Sequence, residues 1–273
     1  KQLKTFTVTA DGKKVKYVHS IHELNDTTLW VSTVGEGIVK IILNKNGIAP
    51  TVKSATRIIL DGGRLASNYF FTSFQENDSI LWFGNRGYGA HRLNLETGKF
   101  IPYKFDNIVN SQMANDIFAI YKNENGYWFA TSSGLLHFNQ EGSQHHNKVE
   151  LLSKNTAHGM LEDQQNNIWI STNQGLVKFN PKTHTGQTYD RKNGLEVTEF
   201  SDGAFYKDIP TETLFFGGTN GFVAIKPNDY NMAAYMPQIS IKRLSIFGKE
   251  YNIHDFLYKK KEKTVIQLDY SQN

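Results

Sequence analysis

The chain of 273 residues carries 30 Lys and Arg against 26 Asp and Glu, a formal charge of +4 with the two signs interspersed, which excludes the dense basic stripe of a nucleic-acid binder. A composition of 39% hydrophobic and 21% charged residues excludes intrinsic disorder and suffices for one large β domain and part of another. The absence of cysteine excludes disulfides and thiolate metal sites, and no apolar run of about 18 residues reads as a membrane-spanning helix.

In chain order, the sequence begins at Lys1 without an apolar leader and reads as a segment of a longer protein. Residues 3–9, LKTFTVT, read as an outer strand whose own blade has no preceding strands here. Five related stretches then follow: LWVSTVGEGI from Leu29, LWFGNRGYGA from Leu81, YWFATSSGLL from Tyr127, IWISTNQGLV from Ile168 and LFFGGTNGFV from Leu214. Each has an aromatic second, a small residue two further on, and a glycine soon after. The aromatics are Trp30, Trp82, Trp128, Trp169 and Phe215, so all four tryptophans of the chain share one phase.

A turn-forming run precedes each aromatic (IHELNDT, TSFQENDS, AIYKNENG, GMLEDQQNN, AFYKDIPTE), and an alternating run follows each glycine. Asn, Asp and Gly accept the backbone angles of tight hairpins. A weaker fourth run, such as FIPYKF at 100–105, closes most units. Four short antiparallel strands per unit is the arithmetic of a β-propeller blade. The marking aromatic then lies on the second strand and wedges between blades. The small residue after it (Ser32, Gly84, Ala130, Ser171, Gly217) leaves room near the narrow axis. The fifth unit, 200–226, shows three strands. Residues 3–9 either supply its missing strand or belong to another blade.

The character changes after Pro227. Residues 1–227 read as propeller blades and 228–236 as a linker. Residues 237–273, with PQISIKRLSIFGKEY and KTVIQLDYSQN, read as the start of a second all-β module too short for its own core. The basic run Lys259-Lys260-Lys261-Glu262-Lys263 reads as a solvated hairpin tip.

The stretch EDQQNNIWISTNQGLVKFNP, Glu162–Pro181, resembles the two-component regulator propeller repeat, and LFFGGTNGFVAIKP at 214–227 resembles the last propeller unit of the same proteins. Residues 237–273 resemble the opening of the three-tyrosine Ig-like module that follows. The resemblance implies an all-β fold, a partial sector of a seven-bladed propeller of four-stranded blades followed by the first strands of an Ig-like β-sandwich. It implies the extracytoplasmic, periplasmic sensor region of an inner-membrane hybrid two-component system. Such a sensor binds oligosaccharide breakdown products, works as a homodimer and controls transcription through parts absent from this chain. This segment would itself contact neither nucleic acid nor membrane.

On a propeller, the loops from second to third strand share one face with the loops between blades. These loops are rich in Arg, Asn, Gln, Glu and Tyr, which suit sugar hydroxyls and the apolar face of a sugar ring. The ligand-binding candidates are Glu36, Arg64, Asn68, Tyr69, Asn85, Arg86, Tyr88, Asn173 and Gln174. The alternative, a protein-interaction scaffold, would use exposed aromatics of the same face: Tyr69, Tyr88 and Phe200. Glu36, Glu196, Glu199 and Asp202 reach that face, but no spacing fixes a catalytic pair, so no catalytic residue and no cofactor are expected, and the propeller glycosidase or lyase reading ranks last. His19 and His22 should point to opposite faces of one strand, and His145-His146 should lie in a loop, so no metal ligand set is expected.

Overall fold

A computed structural model of the chain describes residues 7–44, 50–60, 67–106, 111–138, 146–148, 152, 155–197, 199–230, 244–246, 249–251, 257–260 and 263–266. The chain divides into two compact units, Lys1–Asp229 and Tyr230–Asn273.

The first unit is a β-propeller. Blade 1 is β3 (Val18–Asn25), β4 (Thr28–Thr33), β5 (Ile38–Asn44) and β6 (Thr51–Ile58), preceded by a small hairpin of β1 (Thr9–Ala10) and β2 (Lys13–Lys14). Blade 2 is β7 (Phe70–Asn77), β8 (Ile80–Asn85), β9 (Ala90–Asn94) and β10 (Phe100–Tyr103); the turn α1 (Ser111–Ala114) leads to blade 3, β11 (Ile117–Asn123), β12 (Gly126–Thr131), β13 (Gly134–Phe138) and β14 (His146–Lys148). Blade 4 is β15 (Ala157–Glu162), β16 (Ile168–Thr172), β17 (Gly175–Asn180) and β18 (Thr185–Tyr189), and blade 5 has three strands, β19 (Phe200–Asp208), β20 (Thr213–Gly218) and β21 (Gly221–Ile225). Pairing is antiparallel throughout. Residues 7–10, from the end of the expected outer strand, pair in their own hairpin, Thr9 with Lys14, and pack on blade 1 through Val8, Ala10 and Val15 against Val31, Val39 and Ile41. Residues 1–6 lie outside the described residues. His146 opens a strand rather than a loop, because it pairs with Phe138.

The tryptophans form the blade interfaces. Trp30 packs with Leu81, Phe83 and Leu93; Trp82 with Tyr127, Phe129 and Leu136; Trp128 with Ile168, Ile170, Val177 and Phe179; Trp169 with Leu214, Phe216 and Ile225. Each indole therefore buries its faces against the residues that flank the next blade's aromatic. The turn residues before each tryptophan complete the pattern by accepting the indole N–H: Glu76 from Trp82 at 2.7 Å, Asn123 from Trp128 at 3.0 Å, and Asp163 from Trp169 at 2.9 Å. Trp30 has Leu24 six residues before it, and Asn25, five before, accepts instead from the Thr27 N–H and hydroxyl; among the described residues the buried Trp30 Nε1 has no hydrogen-bond partner. The small residue after the aromatic is required by backbone approach: a Cβ on Gly84 would lie 2.6 Å from the Ile117 carbonyl oxygen of blade 3.

Near the axis, alternation fails in a repeated way. The innermost strands of blades 1 to 4 each carry a bulge at the same place, leaving His19, Phe71, Phe118 and His158 out of register. Bulges re-aim side chains, and these four meet one another. His19 Nδ1 donates to the Phe71 carbonyl at 2.7 Å, Phe71 and Phe118 rings lie 5.1 Å apart, Phe118 stacks on His158 at 6.2 Å, and His158 Nδ1 lies 2.6 Å from Asp202 Oδ1 on blade 5. A Cβ on Gly203 of blade 5 would stand 3.1 Å from His19 Cε1, so the first and fifth inner strands also come together. The bulge explains why His19 and His22 do not diverge as alternation predicts: His22 Nε2 also bonds to blade 2, at Gln75 Oε1, 3.1 Å away.

The interface between blades 3 and 4 contains a titratable group. His137 stacks on Trp128 with ring centroids 4.1 Å apart and donates from Nε2 to the Asn125 carbonyl at 2.7 Å. Burial lowers its pKa below the usual 6.5; the Asn125 hydrogen bond opposes this and the nearby His184 adds to it. A histidine with a depressed folded pKa contributes stability that is complete above the unfolded value and is lost as pH falls through the folded one. Urea midpoints should therefore drop between roughly pH 7 and roughly pH 5, and His137→Gln should flatten that part of the profile.

In the second unit β22 (Leu244–Ile246) pairs with β23 (Lys249–Tyr251), and β24 (Leu257–Lys260) with β25 (Lys263–Ile266), Lys260 opposite Lys263. Most of the expected linker, 231–236, lies outside the described residues.

Candidate functional site

The rim loops have a common build. Thr33, Thr131 and Thr172 end the second strand of their blades, and each hydroxyl donates to the carbonyl of the glycine at the entry to the third, Gly37, Gly134 and Gly175. At Gly175, φ is +121° and a Cβ would lie 2.2 Å from the Tyr189 carbonyl oxygen, so only glycine lets the loop sit against the outer strand. Of the residues between them, Asn173 and Gln174 are exposed and Ser133 is buried.

Between blades 1 and 2 the loops are joined. Asn68, with φ of 57°, offers its carbonyl oxygen to the N–H groups of Gly35 and Gly37, both at 3.0 Å. The Tyr69 carbonyl accepts from Arg86 N at 3.0 Å, and the Ser67 hydroxyl donates to the Arg86 carbonyl at 2.8 Å. The 67–69 segment thus ties both second-to-third-strand loops together. On this base, Tyr69 is 38% exposed, the Arg86 guanidinium lies 6.0 Å from its ring centroid, and Lys104 Nζ lies 4.9 Å from the Tyr88 ring. Tyr69 also lies along Gly35, where a Cβ would stand 3.5 Å from its Cζ. The result is two cation–ring pairs, Arg86 with Tyr69 and Lys104 with Tyr88, on adjoining segments of the rim.

Of the residues expected at a site, Asn68, Tyr69, Arg86 and Tyr88 come together here. Asn85 belongs to the same region but is fully buried; its Oδ1 accepts from the Ser67 N–H and hydroxyl at 3.3 and 3.0 Å, so it supports the rim from beneath. Glu36 accepts from Arg57 Nη1 at 2.6 Å, and that hydrogen bond lowers its pKa below 4.5 against a smaller opposing effect of burial. Asn173 belongs to blade 4, where its Oδ1 accepts from Thr156 N at 3.2 Å, and the exposed Gln174 is anchored by its own N–H to the Thr172 hydroxyl at 3.1 Å. Arg64 lies outside the described residues. Phe200 is not an exposed rim aromatic: it is 7% exposed, because its strand turns it into the interface with blade 4 beside Val197 and Phe216.

Sequence reasoning missed Arg57, Lys104 and the hairpin residues Asp11 and Lys13. Arg57 sits in an ordinary alternating run, TVKSATRIIL, and only the register of β6 against β5, Val39 opposite Arg57, carries it to Glu36. Among the described residues, the carboxylates weighed for catalysis each have their own surroundings. Asp202 is held by His158, the Glu199 carboxylate accepts from the Thr219 hydroxyl at 3.3 Å, and Glu196 is exposed. Among the described residues no group of three or more His, Asp or Glu could hold a metal ion, and no helix is long and apolar enough to cross a membrane.

A family model described as "Two component regulator propeller" matches residues 151–174, a span that contains the first two strands of blade 4, β15 and β16. Histidine kinase P4 of Formosa agariphila is 29% identical over an alignment covering 64% of this chain and 16% of that protein. An extracellular domain from B. thetaiotaomicron, assigned to a hybrid two component system, superposes with a TM-score of 0.68 at 20% identity, covering 96% of this chain and 34% of that one. A second such domain from the same organism gives 0.60 at 18%, covering 90% and 32%. At these identities the structures show the fold alone. The chain spans 16% of the curated relative and about a third of the solved domains.

Proposed function

From a chain that carries a two-component regulator propeller repeat on a β-propeller frame, we propose a sensor segment: it lies outside the cytoplasm, has no enzymatic activity of its own, and recognises an oligosaccharide on the rim of blades 1 and 2. The sensor role is supported by the repeat and by the histidine kinase relative. The observation that carries the ligand class is the two cation–ring pairs, Arg86 with Tyr69 and Lys104 with Tyr88. Sugars offer hydroxyls to charged donors and an apolar C–H face to aromatic rings, and a site for them combines both on a fixed base. Binding acts as a signal only if the ligand prefers one of two arrangements of the whole receptor, a homodimer in this reading.

Calorimetric titration of the chain with oligosaccharides tests the reading. A binder should be found, and Tyr69→Ala and Arg86→Ala should each weaken it about tenfold or more while leaving the melting temperature within a few degrees. Cleavage of the sugar, or binding indifferent to both substitutions, would defeat it.

A second reading, a protein-binding propeller, has one observation in its favour. On blade 5 Tyr206, Phe215 and Phe222 form a ladder of rings 6.3 and 5.9 Å apart, with Tyr206 63% and Phe222 66% exposed. Phe215 and Phe222 stand at the positions that Trp169 and Leu176 bury on blade 4.

A further inference from the structure

Beside Tyr69, the turn of the β1–β2 hairpin meets the end of β6 and encloses a cleft of about 340 Å³, lined by Asp11, Lys13, Gly35, Glu36, Arg57 and Ile59. We propose that this cleft holds one unit of a neutral oligosaccharide, with two neighbouring hydroxyls seated between the carboxylates of Glu36 and Asp11 and the cations of Arg57 and Lys13. The inference rests on the rim of blades 1 and 2 being an oligosaccharide site, and it names the class of sugar.

The Arg57 side chain is 9% exposed, its Nη1 donates to Glu36 Oε2 at 2.6 Å and to the Glu36 carbonyl at 3.3 Å, and its Nη2 is buried without a hydrogen-bond partner. A buried donor left unmatched is unfavourable in a folded protein, and a small shift of the guanidinium toward a ligand oxygen in the cleft would relieve that cost. The acceptors are incomplete as well. Glu36 Oε2 takes the bonds from Arg57 and from Lys16 N, and Asp11 Oδ2 takes the one from Arg57 N at 3.3 Å, which leaves one oxygen of each carboxylate open. Hydroxyls donate and accept at once, so they suit a cleft that presents unmatched donors and acceptors together.

Charge decides against an acidic sugar. Two cations and two carboxylates line the cleft, so a ligand carboxylate or sulfate would meet repulsion equal to its attraction and lose its own hydration. The volume is at the low end of the roughly 300–1,000 Å³ of small-molecule sites, room for a sugar unit rather than a chain. Ile59, 48% exposed, supplies an apolar wall. Gly35 connects the cleft to the Tyr69 ring: with φ of +90° and Tyr69 Cζ only 3.5 Å from its missing Cβ, it leaves the path from Arg57 to the tyrosine ring open.

Titration of the chain with neutral hexose oligosaccharides, uronate-containing oligosaccharides of equal length, and free amino acids as a zwitterionic control tests the proposal. A neutral oligosaccharide should bind, and Glu36→Gln and Lys13→Ala should each weaken it tenfold or more, with Tyr69→Ala doing the same. Lys13 is exposed and outside every core cluster, so its variant remains informative if Glu36→Gln disturbs folding. A neutral binder lost in Tyr69→Ala but held within twofold by both cleft variants overturns the cleft and leaves the rim reading intact. Preference for uronates or amino acids overturns the neutral class. Failure of every oligosaccharide to bind overturns both readings.

Discussion

Replacing Asp163 by alanine is expected to destabilise the propeller by about 3–5 kcal/mol, the range for breaking one side of a buried charged network. The Asp163 carboxylate is fully buried and accepts from the N–H groups of Gln165 and Asn167 at 2.9 Å each, from Asn167 Nδ2 at 3.0 and 3.1 Å, and from the Trp169 indole at 2.9 Å. Lys178 Nζ stands 3.8 Å away. Alanine leaves two backbone donors, an amide and an indole without acceptors in a closed turn. Asp163→Asn keeps one acceptor but turns a donor toward other donors, so it should fall between the two. The urea midpoint measures this directly, with the slope checked for two-state behaviour. A loss below about 1 kcal/mol for the alanine variant would mean that water takes over these donors at little cost, and that the acidic turn of the repeat serves something other than the tryptophan.

Trp128→Ala should cost about 3–5 kcal/mol, while Phe215→Ala should cost less than about 1 kcal/mol, although the two residues occupy the same position of the repeat. Trp128 is fully buried between blades 3 and 4, touching Ile168, Ile170, Val177 and Phe179, with His137 stacked on one face. Its removal leaves a cavity between two sheets that close around the axis and have little freedom to collapse. Phe215 has the same strand register but lies on the last blade, between the exposed Tyr206 and Phe222. Comparable losses at both positions would show that the flank of blade 5 is covered in solution, which the exposed ladder does not lead one to expect.

Much of this fold is legible in the sequence because its information is local. Hairpin turns, an aromatic on the second strand of each blade and a glycine at each rim loop recur at similar spacing, and a blade of four antiparallel strands involves only near neighbours in the chain. The spacing of Trp30, Trp82, Trp128 and Trp169 therefore predicts wedges around an axis, and the packing of each against the following blade is what the structure shows. The three-stranded fifth unit was readable for the same reason.

The site was legible only in part. Tyr69, Arg86 and Tyr88 announce themselves as polar and aromatic residues in rim loops. Asn85 has the same appearance in the sequence, yet its side chain turns inward to hold Ser67, since facing is set by the loop's dihedral angles rather than by residue type. Arg57 was invisible, because its pairing with Glu36 depends on the register of β6. The axial line of His19, Phe71, Phe118 and His158 was hidden by bulges that break strict alternation. By itself the sequence determined the repeating blade and its aromatic wedge, since short-range pairing and hydrophobic phase suffice for both. Only the tertiary structure decided which polar side chains meet, because strand register and the convergence of five inner strands bring together residues far apart in the chain, as His22 and Gln75, 53 positions apart, and His19 and Gly203 are.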